Sequence, residues 1–297
     1  MIETTDWQQI CKSIEKATKQ SFSINKISPV SGGCINSAYQ LHGQNISYFI
    51  KINKAALVDM FAAESSGLKE LAKEKTVKVP QPIVYGVSGE HAFLALEMLT
   101  LASATKPSEQ RLAQQLAALH QIKQAFFGWH QDNTIGSTTQ CNDCSDNWVS
   151  FWRINRLGFQ LSLAEKNGYK GNLIHSGEKL CELLHHFFSD YQPQPSLLHG
   201  DLWSGNAAVT EQGEPVIYDP ACYYGDREAD IAMTELFGGF SSNFYAAYHQ
   251  SYPLDSGYSS RKTLYNLYHI LNHLNLFGAS YQHQSQQMID YLLSEVL

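Results

Sequence analysis

The stretch LLHGDLWSGNAAV, residues 197–209, constrains this chain more than any other part of it. An apolar run enters a His-Gly-Asp bend, and a second apolar run leaves it. Both runs read as strands, so the bend sets an acid, Asp201, and an amide, Asn206, at neighbouring strand ends. Further on, Asp219 closes a third apolar run, PVIYDP. Three oxygen-bearing side chains therefore sit at the ends of adjacent strands. A turn in which Asp and Asn merely cap backbone groups is the ordinary alternative. The third oxygen donor at a matching strand end argues against it.

Phosphoryl transfer from Mg-ATP needs such a set. One carboxylate, Asp201, would take or orient the proton of an acceptor hydroxyl, while Asn206 and Asp219 would offer hard oxygen ligands to Mg²⁺. The nucleotide end should then lie upstream. SYFIKIN puts Lys51 inside an otherwise apolar strand, where an unpaired ammonium is costly. Glu64, on the helix that follows, is its natural partner, and such a pair aims the ammonium at phosphate oxygens. Lys54 and Lys69 are rivals in more polar surroundings. Gly32, Gly33 and Cys34 join the first two strands, where missing side chains would let backbone approach a phosphate; alone, a Gly-Gly is an ordinary hairpin turn. Glu97, Met98 and Leu99 fall where strands give way to helices; their backbone could pair with an adenine edge or simply connect two lobes.

The rest of the chain sets the context. Periodicity predicts a helix opening at Thr5-Asp6, a three-stranded antiparallel meander, a helix over ALVDMFAAESSGLKELAKEK and two more strands. Beyond Ser108 the pattern is helical, interrupted by an irregular run at 127–147 and by the bend described above, and it ends in four helical segments. This predicts an α+β chain with a small antiparallel-sheet lobe, 1–98, and a larger, mainly helical lobe, 99–297. A net charge of −7 argues against a nucleic-acid partner. No apolar run is long enough to span a bilayer, and MIETTDWQQI lacks the pattern of a signal peptide. Six scattered cysteines in a chain this large suggest reduced thiols and a cytoplasmic location.

The order of Gly-rich loop, strand Lys, helix Glu, hinge, HGDxxxxN and strand-ending Asp resembles the protein-kinase-like phosphotransferases. HGD in place of HRD, Asp219-Pro220-Ala221 in place of DFG, and the absence of an APE segment point to small-molecule kinases such as aminoglycoside and choline kinases. SGGCIN, GWHQDNTIGSTTQ, LLHGDLWSGNAA, VIYDPACYYGDREADIAMTELFGGF and LYNLYHILNHLNLFG narrow the resemblance to the fructosamine kinase (ketosamine-3-kinase) family, across nearly the whole chain. That resemblance implies a bilobal fold and ATP- and Mg²⁺-dependent phosphorylation of the 3-hydroxyl of a ketosamine, either a small molecule or a glycated protein amine. The 3-phosphate then eliminates and frees the amine, which is deglycation. It also implies Asp201 as base, Asn206 and Asp219 as Mg²⁺ ligands, and Lys51 with Glu64 positioning the phosphates. Trp203 would wall the acceptor pocket or pack between lobes, and Asp132 and Asn133 would line the acceptor cleft or hold a surface loop together. An aminoglycoside, choline-like or other amino-sugar acceptor is the second reading, and a nucleotide-binding pseudokinase the third.

Three further features carry less. Asp226 to Asp230 opens a helix, where Asp230 would brace the catalytic loop. Cys34, in the Gly-rich loop, could be a redox-sensitive thiol linking two chains. Cys141 with Cys144, and His269 with His273, have ligand-like spacing but lack the further ligands of a metal site.

Overall fold

A computed structural model describes residues 2–31 and 35–297. Gly32, Gly33 and Cys34 lie outside the described residues, and with them the phosphate loop and the thiol link expected there.

Two compact units emerge. The first comprises residues 1–104 together with 208–219. It opens with helix α1 (Thr4–Thr18), followed by strands β1 (Lys26–Val30), β2 (Ser37–His42) and β3 (Ser47–Lys54). Helix α2 (Val58–Lys73), strands β4 (Pro82–Ser88) and β5 (His91–Glu97) and a short β6 (Leu101–Ala102) come next. The expected meander is present, and β5 and β4 extend it into one antiparallel five-stranded sheet of order β1-β2-β3-β5-β4. Helix α1 starts earlier than Thr5-Asp6 suggested. Glu3 holds the cap position, and Asp6, now inside the first turn, folds its carboxylate back onto the Glu3 N–H at 3.3 Å. Ile10 and Ile14 of α1 then bury against Leu41, Tyr48, Ile50 and Phe93 of the sheet. Removing that apolar surface from water is what holds the helix in place.

The second unit comprises residues 105–207 and 220–297. Helix α3 (Lys106–Leu119) starts at a Thr105/Ser108 capping box with Pro107 in its first turn. The run 127–147 is not wholly irregular: β7 (Asn133–Ile135) and β8 (Thr138–Gln140) form a hairpin turning at Gly136, whose φ is +65°. A helical stretch follows in three parts, α4 (Trp148–Phe151), a π-helical segment Trp152–Gly158, and α5 (Phe159–Lys166). After α6 (Asn172–Leu183), strand β9 (Ser196–Leu198) leads into the His199-Gly200-Asp201 bend.

Two strands interrupt the helices here. Strand β10 (Ala207–Thr210), beginning at the end of the second unit, and β11 (Pro215–Ile217) belong to a small sheet with β6, in which Val209 pairs with Ala102. The chain then returns through β12 (Tyr223–Gly225), antiparallel to β9. The expected four helices close the chain: α7 (Glu228–Leu236), α8 (Ser242–Ser251), α9 (Tyr258–Phe277) and α10 (Gln282–Ser294). Helix α9 carries buried side chains on every turn, so it is a core helix of its unit. No helix among the described residues is long and apolar enough to cross a membrane.

Candidate active site

Lys51 lies on β3, the middle strand of the five-stranded sheet, paired across to Ala38 and Leu94. Strands on both sides and apolar neighbours strip water from its ammonium. Its Nζ meets Glu64 Oε1 of α2 at 2.6 Å and Asp219 Oδ1 at 2.5 Å. Burial by itself would lower the Lys51 pKa; the charges of Asp219 and Glu64, and their hydrogen bonds, outweigh it and drive it upward. The ammonium is therefore held charged. Glu64 moves the opposite way to a well-satisfied carboxylate: burial pushes its pKa up against the pull of Lys51. Asp219 is the open member of the trio, its side chain 44% exposed where that of Glu64 is 11%. It sits at φ +58°, one of few non-glycine residues with positive φ, in a conformation that Asp tolerates better than most residues. Lys54 and Lys69 are both solvent-exposed.

The second unit holds the loop that carries Asp201. Asp230 of α7, fully buried, accepts the backbone N–H groups of His199 at 2.7 Å and Gly200 at 2.8 Å. His120 Nε2 lies 3.2 Å from the same carboxylate, and His120 Nδ1 lies 2.7 Å from the Tyr248 hydroxyl. Burial would raise the Asp230 pKa, but the hydrogen bond and charge of His120, the charge of His199 and the Gly200 N–H bring it below the ordinary value. Asp230 thus braces the bend, as its place in the sequence suggested. Gly200 is required there: at φ +84°, a Cβ on it would lie 2.1 Å from the Ala221 carbonyl oxygen. The Asp201 N–H donates to His199 Nδ1 at 3.2 Å. Asn206 Nδ2 donates to the Asp201 carbonyl at 2.9 Å and to Asp201 Oδ2 at 3.2 Å. The acid and the amide of the opening motif are therefore hydrogen-bonded neighbours.

Trp203 stands 38% exposed beside them. Asn133 is buried: its Nδ2 donates to the Cys222 carbonyl, and its Oδ1 accepts from Gln140 and Asn142. Asp132 is exposed, with Oδ1 accepting the Asn142 N–H. Glu97 ends β5; its N–H donates to the Gln81 carbonyl, and its carboxylate accepts the Gln81 N–H at 3.2 Å. Met98 and Leu99 follow, both half-buried.

The sequence offered little sign of several supporting groups. His120 caps the C-terminal end of α3, and its partner Tyr248 comes from α8. Arg156 lies fully buried in the π-helical segment, donating to Cys141 and Asn142 with its guanidinium 4.1 Å from the Tyr223 ring. Arg261 of α9 makes a two-pronged contact with Glu228 at 2.7 and 3.1 Å. Cys11, Cys141, Cys144, Cys181 and Cys222 are free thiols, and no disulfide occurs among the described residues.

A family model for fructosamine kinase matches residues 6–295. The chain belongs to the fructosamine kinase family. It is 50% identical to a protein described as a probable ketoamine kinase of Synechocystis, over 97% of each chain. It is 39% identical to the chloroplastic protein-ribulosamine 3-kinase of Arabidopsis thaliana, over 90% of this chain and 82% of that one. A crystal structure from Haemophilus somnus, of a candidate fructosamine-3-kinase, superposes with a TM-score of 0.89 at 33% identity, covering 97% of both chains. A thermostable mutant of an aminoglycoside phosphotransferase matches with a TM-score of 0.63 at 14% identity over 96% of this chain and 98% of that one, which is a likeness of fold alone. The chain is thus an α+β protein of the protein-kinase-like, aminoglycoside-phosphotransferase-like fold. It is a phosphotransferase with an alcohol group as acceptor, acting on the ketosamine class of substrate.

Proposed function

We propose that this kinase transfers the γ-phosphoryl group of ATP, with Mg²⁺, to the 3-hydroxyl of a ketosamine of the ribulosamine or fructosamine type, and that elimination of the 3-phosphate then frees the amine. The observation that carries the reading is the Asp201–Asn206 pair, fixed in a loop that Asp230 pins by two backbone hydrogen bonds. Asp201, oriented by Asn206, accepts the proton of the sugar hydroxyl as its oxygen attacks phosphorus. Lys51, held charged between Glu64 and Asp219, neutralises phosphate oxygens. Glu97, Met98 and Leu99 are the backbone we assign to the adenine edge.

The donor chemistry suits Mg²⁺. Asn206 spends its Nδ2 on Asp201, so its Oδ1 points the other way, and Asp219 is open enough to offer a carboxylate oxygen. One amide and one carboxylate make a sparse, hard oxygen set, and no group of three His, Cys, Asp or Glu side chains fit to hold a metal occurs among the described residues. Magnesium ordinarily takes few protein ligands and completes its shell with water and phosphate oxygens. Bound with the nucleotide, it would supply charge neutralisation on the phosphates.

The test is ATP consumption against synthetic ribulosamines and fructosamines, free and as glycated protein lysines, with aminoglycoside and choline acceptors in parallel. Product NMR should place phosphorus on O3 of the ketosamine. Turnover confined to aminoglycosides or choline would replace the acceptor, and no turnover with any acceptor would leave a nucleotide-binding scaffold.

A further inference from the structure

A run of aromatic rings in the second unit starts at the catalytic loop. Trp203 meets Phe237 edge to face, centroids 6.3 Å apart. Phe237 lies flat against the imidazole of His273, at 5.2 Å and 16°. His273 in turn meets Phe277 at 5.3 Å and Tyr281 at 5.1 Å. Three of these rings remain open to solvent: Trp203 at 38%, Phe237 at 44% and Phe277 at 49%. Adjoining exposed rings of this kind form a surface patch that a folded chain would ordinarily bury, and such patches mark binding sites.

Two details tie the strip to the loop. Gly239, two residues after Phe237, would place a Cβ 2.4 Å from the Ser204 side chain, so the Phe237 segment is pressed onto the loop that carries Asp201. His273 Nδ1 is screened from solvent and has no hydrogen-bond partner among the described residues, a cost that packing alone does not explain. Burial also lowers the His273 pKa, so the ring lies on Phe237 as a neutral plane.

We propose that this strip is the subsite for the amine half of the acceptor, and that it selects ketosamines by the group carried on nitrogen. The inference rests on the ketosamine assignment above and deepens it. Trp203, two residues from Asp201, faces the secondary ammonium next to the sugar, because ring faces attract cations. The N-substituent continues over Phe237 and His273, where apolar carbon gains by leaving water. A substituent of several carbons is needed to reach Phe237, 6.3 Å beyond Trp203. Glycated lysine and aryl amines meet that requirement, and N-methyl ketosamines do not.

The experiment compares kcat/KM for N-benzyl and N-methyl ribulosamine, which share one sugar. Wild-type enzyme should prefer the benzyl compound by roughly tenfold, and Phe237→Ala should reduce the preference to within about twofold, chiefly through KM for the benzyl compound. Phe237→Leu keeps the bulk at this half-exposed position, serves if the alanine variant does not fold, and should lose part of the preference. Tyr291→Ser, at an exposed ring on α10, should leave the preference as in wild type. No preference in the wild type, or an undiminished one in folded Phe237 variants, overturns the subsite alone. An enzyme that turns over no ketosamine overturns the proposed function and the subsite with it.

Discussion

The roles proposed for Lys51 and Asp201 are separable by experiment, because Lys51 also belongs to a buried ion pair of the fold. Lys51→Met leaves Glu64 buried without its cation, and breaking a buried pair in this way costs about 3–5 kcal/mol. Denaturant titration should show that loss, and Lys51→Met/Glu64→Leu should recover most of it while nucleotide binding stays weak. Recovery of both would remove Lys51 from the phosphate site. Asp201→Asn, by contrast, keeps the shape of the loop. It should lower kcat by orders of magnitude, on the order of 10²–10⁴ for a lost general base, with ATP affinity nearly intact by calorimetry. Wild-type turnover in that variant would refute the role of Asp201. These residues were legible from sequence because each breaks a local rule: a lysine in an apolar strand, an acid and an amide at one bend. His120 breaks none. A histidine at the end of α3 looks like any core histidine until Asp230 and Tyr248, both distant in sequence, are brought beside it.

At the scale of elements, helix α7 governs the loop. Its Asp230 accepts the N–H groups of both His199 and Gly200. Asp230→Asn turns one of those contacts into a donor facing a donor, so we expect the loop to loosen and kcat to drop roughly 10–100-fold, as misplacement of reacting groups does. Kd for nucleotide should hardly change, and an equal loss in both parameters would show a general folding defect instead. Long elements with strong periodicity were readable, α3 above all. Very short strands and elements defined by distant pairing were not. The β7–β8 hairpin hid in a Gly/Asn/Thr run because its strands are only three residues each and Asn133, Gln140 and Asn142 bond to one another rather than to solvent. The grouping of 208–219 with the first unit follows from the Val209–Ala102 pairing, which no local pattern encodes. The π-helical segment at 152–158 likewise keeps the apolar spacing of an α-helix, so nothing in the sequence marks where the winding widens.

At the scale of the whole molecule, two buried groups on adjoining helices should shape stability against pH in opposite directions. His269, in the core helix α9, has its pKa pushed down to about 3, first by burial and then by His273. Free histidine titrates near 6.5. Between those values the unfolded chain takes up a proton that the folded chain refuses, so folding weakens as pH falls from about 6.5 toward 3. Each pH unit in that window is worth about 1.4 kcal/mol, or about 2 kcal/mol between pH 6.5 and 5. Glu228, at the start of α7, has its pKa pushed up to about 7 by burial, against the hydrogen bonds and charge of Arg261. The folded chain therefore holds its proton over a range where the unfolded chain has lost it, and this contribution weakens folding as pH rises from about 4.5 to 7. The two slopes cancel in part across pH 4.5–6.5, and a flat stability profile in the wild type would conceal both. Substitution exposes them. His269→Gln removes the acid-side penalty, so its melting temperature, relative to wild type, should climb by several degrees between pH 7 and pH 5, the direction in which the wild type pays for a neutral buried imidazole. Differential scanning calorimetry of both proteins at those two pH values measures the difference directly. A difference that does not change with pH would mean that His269 takes up its proton equally in the folded and the unfolded chain, and a difference that falls toward pH 5 would mean that the fold holds the imidazole protonated.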